Sequence, residues 1–359
     1  MRKKAFKIPL ANLGLALCSL LLTAVAAEAA YRVFLGFQLR SSIEPGQKYL
    51  RSEYHSVLGW RNVPGQDSHR IYTDLRGFRV ASRGEIDRTL TGRVIAALGD
   101  SFTYGDGVKG SKAWPNLLDV RLSGREYHVL NMGICAFGID QMYLYYRETE
   151  AELSPEVVLV GVVSWDIQRT GKPHWKPGGR QKPMFVFREG RLELTNVPVP
   201  FNPQAGKSAL RWQDIVFDFG QVYLLSRLDP RRREPDYVDI PENLLRSEDI
   251  EPNKYAAAAF LSQKIIEKWR EEVETRGGIF AVVFIPTKKE VDYYHSYLSK
   301  LRDNLRRKGV NVIDCREAFL AARDRGIGLW RGSHPSSAGH RVIAEEVYYF
   351  LAAKGITEG

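Results

Sequence analysis

The sequence contains only three cysteines among 359 residues, at positions 18, 135 and 315. No spacing of cysteine and histidine is typical of a metal site, so neither a metal ion nor another cofactor is expected. Cys135 and Cys315 could pair in an exported protein, but separation along the chain gives no geometry, and buried free thiols are the preferred interpretation. The chain also lacks a Walker-type phosphate loop, which argues against that class of nucleotide-binding protein.

The charge of the chain is unbalanced but not concentrated. Lysine and arginine outnumber the acidic residues 52 to 42, for a formal net charge of +10. Basic runs such as Arg231–Arg233 lie beside Glu234 and Asp236, and no basic stripe alternates with aromatic residues. Nucleic acid is therefore not expected as a partner. On an exported protein, this excess fits anionic polysaccharide, lipid headgroups or an ordinary solvated surface.

The N-terminal region combines a basic start with a long apolar run. Residues 1–7 include lysine and arginine, and residues 8–25 carry no charge. That pattern indicates a signal peptide, or an anchor whose basic end stays in the cytoplasm. Residues 27–29 fit a small-x-small cleavage site, but the apolar run is nearly long enough to span a bilayer. A retained single-pass anchor is therefore favoured over cleavage and secretion.

Beyond this region, the sequence predicts a lead-in and one α/β domain. Residues 1–30 form the anchor or signal peptide, 31–90 a lead-in packing on the core, and 91–359 a domain with an insertion at about 168–250. Apolar runs alternate with amphipathic stretches, which is typical of a parallel sheet covered by helices on both faces. Strands are predicted at 94–98, 127–131, 156–163, 279–285 and 310–314, and helices near 112–123, 140–153, 255–276, 289–308 and 336–354.

The regular alternation breaks within the insertion. Met184–Arg188 and Arg191–Thr195 flank Glu189-Gly190, and this pattern predicts a β-hairpin. Because the insertion follows the carboxyl end of a core strand, it either covers a site at that edge or decorates the surface. Both interpretations stay open from the sequence.

The first chemical motif directly follows the strand predicted at 94–98. Gly99 permits a sharp turn, and Asp100-Ser101 then begins a helix, so the Ser101 hydroxyl is expected at the carboxyl edge of the sheet. Backbone N–H groups would face whatever this hydroxyl attacks, as an esterase nucleophile requires. A serine that merely caps the turn is the simpler alternative.

A second motif, Gly332-Ser-His-Pro-Ser-Ser-Ala-Gly-His340, precedes a helix near the C-terminus. His334 is predicted just before this helix, and Ser336 or Ser337 can cap it. A serine after an early strand and a histidine before a late helix fit a serine hydrolase whose partners meet in space. His340 falls on the helix itself and is expected to pack or cap.

Together with these motifs, Asn131–Gln141 and Val157–Asp166 resemble the ordered sequence blocks of the SGNH (GDSL-type) hydrolase superfamily. The chain is most similar to a membrane-tethered bacterial branch related to polysaccharide O-acetylesterases and O-acetyltransferases. The resemblance covers roughly residues 50–355. It implies a flavodoxin-like three-layer fold, and a catalytic domain outside the bacterial inner membrane.

The resemblance also implies roles for individual residues. Ser101 would be the nucleophile and His334 the general base. The oxyanion donors would fall on Ser101, Ala136 and Trp165. Four neighbours of the site are implied by their places in the blocks: Asp100, Asn131, Asp166 and Arg331.

Three positions depart from the family pattern. Arg331 stands where the family has the acid that orients the histidine, so a backbone carbonyl, Asp314 or Asp324 would have to replace it. Ala136 replaces a glycine, and its N–H is kept if the backbone angles permit it. Trp165 replaces an asparagine and brings a single donor on a larger ring, either as a donor or as a wall of the pocket.

These observations predict a serine esterase or acyltransferase acting on O-acyl esters, chiefly O-acetyl, of an extracytoplasmic glycan. The departures at Arg331 and Trp165 motivate an alternative, a membrane-tethered glycan-binding or assembly protein on a degenerate fold. The expected partners are a glycan or another acyl ester, the membrane through the N-terminal helix, and polysaccharide-assembly proteins.

Overall fold

The computed structural model describes residues 10–42, 51–68, 71–175, 180–201, 254–292 and 296–357. The chain divides into two compact units, the first made of Met1–Tyr49 with Gln204–Pro235 and the second of Leu50–Pro203 with Asp236–Gly359. The described part of the first unit is a single helix, and the second unit holds the α/β core.

The N-terminal helix α1, Leu10–Ser42, is 33 residues long. Its 21-residue segment Gly14–Phe34 contains an 18-residue stretch with a mean hydropathy of 1.7, and none of that stretch is buried. At about 1.5 Å per residue, such a segment is about as long as the hydrocarbon core of a bilayer is thick. By length and composition, the helix fits both roles expected from the sequence, an anchor and a signal sequence.

The centre of the second unit is a five-stranded sheet in which every neighbouring pair is parallel, in the order β11-β10-β7-β5-β6. All five predicted core strands are present, so that prediction is confirmed. In chain order, the strands are β1 Ser52–His55, β2 Gly59–Asn62, β3 Asp67–Ser68, β4 Ile71–Tyr72, β5 Arg93–Gly99, β6 Tyr127–Gly133, β7 Val157–Val162, β8 Met184–Arg188, β9 Arg191–Thr195, β10 Ile279–Phe284, β11 Asn311–Asp314, β12 Trp330–Arg331 and β13 His334–Pro335.

Helices cover both faces of this sheet. Beyond α1, they are α2 Ser101–Tyr104, α3 Trp114–Arg121, α4 Ile139–Leu153, α5 Ser164–Arg169, α6 Lys254–Thr275, α7 Lys288–Asp292, α8 Ser296–Arg307, α9 Arg316–Asp324 and α10 Ser337–Ala353. Alternate residues of β5 belong to two separate apolar clusters, Ala96 with α4, α6 and α8, and Ile95 with α3, α9 and α10. The predicted three-layer α/β/α architecture is therefore confirmed.

The helices differ from the prediction in two places. The helix expected near 289–308 is described as α7 and α8, on either side of residues 293–295, which lie outside the described residues. The nine-residue α9 and the short α5 were not predicted, whereas α2 begins at Ser101, where the sequence placed the start of a helix. These helices bury few side chains each; α9 buries only Phe319 and Ala322, too few for a helical period to stand out.

The segment before β5 packs against the carboxyl end of β6. Trp60 is buried and donates from Nε1 to the Cys135 carbonyl at 3.1 Å. Asn62 donates from Nδ2 to the Gly133 carbonyl at 3.1 Å. Arg79 donates to the Val108 carbonyl, with its guanidinium 4.1 Å from the centre of the Tyr104 ring.

The predicted hairpin of the insertion is present as β8 and β9, paired antiparallel around Glu189-Gly190. Lys182, just before it, is fully buried, and its Nζ lies 2.6 Å from Asp140 Oδ2 at the start of α4. Residues 202–253, which include most of the insertion beyond this hairpin, lie outside the described residues, so both interpretations of the insertion, a cover for the sheet edge or surface decoration, stay predictions.

Candidate functional site

The turn after β5 places the Ser101 hydroxyl at the carboxyl edge of the sheet. Asp100 caps the one-turn helix α2 by accepting from Phe102 N–H at 2.8 Å, and Ser101 is the first helical residue. Gly99 leaves no room for a side chain, because a Cβ there would lie 2.0 Å from Thr103 Oγ1. The result is a tight turn in which Ser101 is only 7% exposed.

His334 reaches this turn from the other end of the chain. It lies on β13, a two-residue strand paired antiparallel with β12, in which Arg331 is directly opposite His334. Its Nε2 is 3.0 Å from Ser101 Oγ, and 233 positions separate the two residues. The imidazole packs on Phe102, with 5.3 Å between ring centres. Ser336, as expected from the sequence, caps the helix that follows, α10.

The other ring nitrogen of His334 meets a hydroxyl in place of a carboxylate. Ser333 Oγ lies 3.2 Å from His334 Nδ1. Arg331, at the position of the family's acid, donates instead to the Gly107 carbonyl at 3.1 Å. The two alternative acids considered from the sequence pair with arginines, Asp314 with Arg302 and Asp324 with Arg323.

Asp106 is a carboxylate near the reactive pair that sequence analysis did not find. Its Oδ2 lies 4.0 Å from His334 Nε2, and its Oδ1 accepts from Arg51 at 2.7 Å. Burial acts to raise the pKa of Asp106, but the charges of Arg51 and His334 outweigh it, and the pKa lies below its usual range. Asp106 therefore presents a negative charge close to the imidazole.

Two further carboxylates lie directly beneath Ser101. Asp100 Oδ2 is 3.4 Å from Ser101 Oγ and 3.0 Å from Arg169 Nη1. Asp166 Oδ1 is 2.8 Å from the same Nη1, and its Oδ2 accepts from Val163 N–H. Burial, reinforced by the neighbouring Asp100, raises the pKa of Asp166 well above its usual range, and Arg169 opposes that shift.

The remaining residues named from the sequence lie around this turn. Ala136 has φ +68°, a left-handed conformation that favours glycine. Trp165, on α5, meets the Phe102 ring edge-on at 5.7 Å and forms a wall beside it. Asn131 donates to Asn116 Oδ1 at 3.0 Å and accepts from Gly133 N–H at 3.1 Å, so it braces the end of β6.

Gly133, the last residue of β6, touches the backbone of α2. A Cβ at this position would lie 2.2 Å from Tyr104 N and 2.7 Å from Tyr104 Cα. The strand end and the helix that carries Ser101 are therefore in direct backbone contact, which only a residue without a side chain permits.

No protein-family model and no curated protein matches the chain. Among solved structures, it is similar to TesA, with 14% identity and a TM-score of 0.42 over 72% of this chain and 98% of that one. It is also similar to an acetyl xylan esterase, with 13% identity and a TM-score of 0.41 over 72% of this chain and 99% of that one. It is similar as well to a GDSL-like lipase from Bacteroides thetaiotaomicron, with 9% identity and a TM-score of 0.38 over 73% of this chain and 89% of that one.

The chain is similar to SGNH hydrolases. One of these structures, the GDSL-like lipase, carries the name of the class that the sequence blocks of this chain resemble. A shared fold does not imply a shared activity, so the activity of this chain follows from the geometry of its own site.

Four residues of the candidate site were not found from the sequence: Ser333, Asp106, Arg169 and Arg51. The one available signal was the spacing of Asp166 and Arg169, which is the i, i+3 spacing of an ion pair on a helix. All three cysteines are free, with Cys315 buried. Among the described residues, no group of three or more acidic, histidine or cysteine side chains is placed to hold a metal ion.

Proposed function

We propose that this chain is a serine esterase or acyltransferase that works through an acyl-Ser101 intermediate, with His334 as general base. The observation that carries this proposal is the 3.0 Å separation of His334 Nε2 and Ser101 Oγ. That distance lies within hydrogen-bond reach, as proton transfer from a nucleophile to its base requires. The hydroxyl also lies at a sheet edge, in a turn that holds it in one orientation.

In the first half of the reaction, Ser101 Oγ attacks the carbonyl carbon of the ester while His334 Nε2 takes the hydroxyl proton. The tetrahedral intermediate then expels the alcohol, which receives the proton from Nε2. The acyl group is left on Ser101. In the second half, water or a sugar hydroxyl gives its proton to Nε2 and attacks the acyl carbon. The second tetrahedral intermediate then releases an acid or a new ester, and Ser101 Oγ recovers its proton from Nε2.

The developing oxyanion needs fixed donors. We assign the backbone N–H groups of Ser101 and Ala136 to this role, and the left-handed backbone at Ala136 supports the assignment, because it is the conformation that a glycine would adopt there. Trp165 is assigned as a wall of the acyl pocket, since its ring packs edge-on against Phe102. It would shape the pocket more than it stabilises charge.

The imidazole has to be oriented and its positive charge offset without the usual acid. Ser333 Oγ accepts from His334 Nδ1 in the proposed mechanism, which fixes the tautomer with Nε2 free to act as base. Asp106, ionised and 4.0 Å from Nε2, stabilises the imidazolium that forms on proton transfer. Arg331 holds the Gly107 carbonyl next to Asp106.

For substrate and location, we propose O-acetyl or other short O-acyl esters of an extracytoplasmic glycan. The resemblance to the membrane-tethered SGNH branch and the apolar helix α1 support this context. Residues 1–30 would hold the chain in the inner membrane, and residues 91–359 would carry the site outside it. The expected partners are the glycan, the lipid bilayer and polysaccharide-assembly proteins.

A glycan-binding protein without catalysis is the second candidate. It is favoured by the neutral Ser333 hydroxyl at the position where a hydrolase places a carboxylate, since a hydroxyl offsets no positive charge on the imidazole. A fluorophosphonate probe, which reacts with activated serines, separates the two proposals.

The test uses the full chain in detergent, with three proteins side by side. We expect wild type and Ser262→Ala to be labelled, because Ser262 is buried on α6 and only donates to the Ala258 carbonyl. Ser101→Ala should not be labelled, and its hydrolysis of a p-nitrophenyl acetate probe should fall by orders of magnitude. A folded wild type that takes no label would favour the glycan-binding protein.

A further inference from the structure

One guanidinium nitrogen beneath the candidate site joins three separate segments of the chain. Arg169 Nη1 lies 3.0 Å from Asp100 Oδ2, 2.8 Å from Asp166 Oδ1 and 3.2 Å from the Phe137 carbonyl. The Arg169 side chain is only 17% exposed, and the two carboxylates are 1% and 0% exposed. Charge-assisted hydrogen bonds with so little solvent access are strong and directional.

The three segments are the continuations of three adjacent strands. Asp100 follows β5, Phe137 lies in the loop after β6, and Asp166 lies on the helix after β7, while the sheet order places β5 between the other two. These are the same segments that carry Ser101, Ala136 and Trp165. The relative positions of the nucleophile, the oxyanion donor and the pocket wall therefore depend on the contacts of one side chain, that of Arg169.

The backbone of Arg169 is in turn contacted by Lys182, a residue of the insertion. The Nζ of buried Lys182 donates to the Arg169 carbonyl at 3.2 Å while it pairs with Asp140 at 2.6 Å. Arg169 also ends α5, a helix of six residues that is too short to be rigid by itself. Its position is therefore determined by contacts on both sides.

We infer that Arg169 is a positioning residue that keeps the Ser101 turn and the Ala136 loop in register for attack on the ester. This inference rests on the proposed function. Arg169 contacts neither the substrate nor the reacting atoms, and it acts through Asp100, Asp166 and Phe137. Its loss lets the two loops separate, and a displacement of about 1 Å at a reacting centre costs about 100-fold in rate.

The test compares kcat and KM for p-nitrophenyl acetate in three variants of the full chain. Arg169→Gln should lower kcat about 100-fold while KM changes little. Arg169→Lys keeps the charge but not the planar fork, so it should recover part of the loss. Arg88→Gln is the matched control: Arg88 is 18% exposed and pairs with Asp119 on α3, and its loss should leave kcat unchanged.

A double variant distinguishes positioning from charge balance, and it also serves if Arg169→Gln does not fold. Asp166→Asn with Arg169→Gln removes one buried carboxyl group together with the arginine. We expect it to fold and to keep a low kcat. A double variant with wild-type kcat would overturn the inference, and so would an Arg169→Gln protein with wild-type kcat.

The labelling experiment separates this inference from the proposed function. Wild type that reacts with the fluorophosphonate at the same rate as Arg169→Gln means that Ser101 is activated without Arg169, and only the positioning role fails. Wild type that takes no label means that the proposed function fails, whatever Arg169 does.

Discussion

The two halves of the candidate site are built in different ways. The serine half is buried: Ser101 is 7% exposed, and Asp100, Asp166 and Arg169 form an ionic cluster beneath it. The histidine half is a pair of two-residue strands, and the side chain of His334 is 24% exposed. Its Nδ1 partner is the hydroxyl of Ser333, a residue at the surface.

This difference separates two requirements of the chemistry. The nucleophile must be held against an ester carbonyl within a fraction of an ångström, and buried charge-assisted hydrogen bonds at the ends of sheet strands supply that stiffness. The base has to accept and return a proton, which needs a nearby nitrogen and a suitable tautomer more than a rigid frame. The Ser101 and Arg169 variants above test the serine half, and the three predictions below test the histidine half, from the largest expected effect to the smallest.

Removing the imidazole of His334 should abolish the proton transfer from Ser101. We expect His334→Gln to lower kcat by about 10⁴-fold or more, because no other group would accept the Ser101 proton. His128→Gln serves as control, since His128 is half-buried and its Nε2 contacts the Thr91 carbonyl through an exposed hydrogen bond. Steady-state hydrolysis of p-nitrophenyl acetate by both variants measures the effect. A His334→Gln protein that retains a tenth of the activity would contradict the proposed base.

His340, in the helix that follows His334, should make the stability of the fold depend on pH. His340, on α10, is fully buried and accepts from Trp114 N–H at 3.3 Å. Burial, helped by the charges of Arg79 and His334, lowers the pKa of His340 from 6.5 to about 3. Between these values the unfolded chain binds a proton that the folded chain does not. The free energy of unfolding therefore falls as the pH falls, by roughly 1.4 kcal/mol per pH unit.

Urea unfolding at pH 6.5 and 4.5 measures this dependence. We expect His340 to contribute a loss of about 2 kcal/mol over that interval. In His340→Gln, which keeps an acceptor but does not titrate, this part of the loss should be absent. Equal pH slopes for the two proteins would mean that His340 is solvated or protonated in the folded chain.

The smallest of the three effects concerns the orientation of the imidazole. Ser333→Ala removes the hydrogen bond at His334 Nδ1, which should lower kcat about tenfold, since one such bond is worth about 1.4 kcal/mol at most. Ser333→Thr keeps the hydroxyl and should retain most of the activity. An unchanged kcat in Ser333→Ala would show that another group orients His334. The histidine half would then not depend on a single exposed hydroxyl.

The serine half was more predictable from the sequence than the histidine half. Runs of apolar residues specify buried parallel strands, so the five strands and the turn at Ser101 follow from Val94–Leu98 and its counterparts. The partner of His334 Nδ1 depends on the path of two strands of two residues each, which no periodicity encodes. Asp106 meets His334 through a tertiary contact, and Arg169 likewise reaches Asp100 and the Phe137 carbonyl, although its pair with Asp166 is local.

The contact between Gly133 and α2 has a consequence for how this site can change. The four-residue helix α2 has too little apolar surface to hold its own position. It is therefore positioned by its contact with the Gly133 backbone at the end of β6. Even a single methyl group at position 133 would act as a wedge, tilting the helix and carrying the serine oxygen away from its imidazole. The smallest residue in the neighbourhood thereby sets the spacing on which the proton transfer depends.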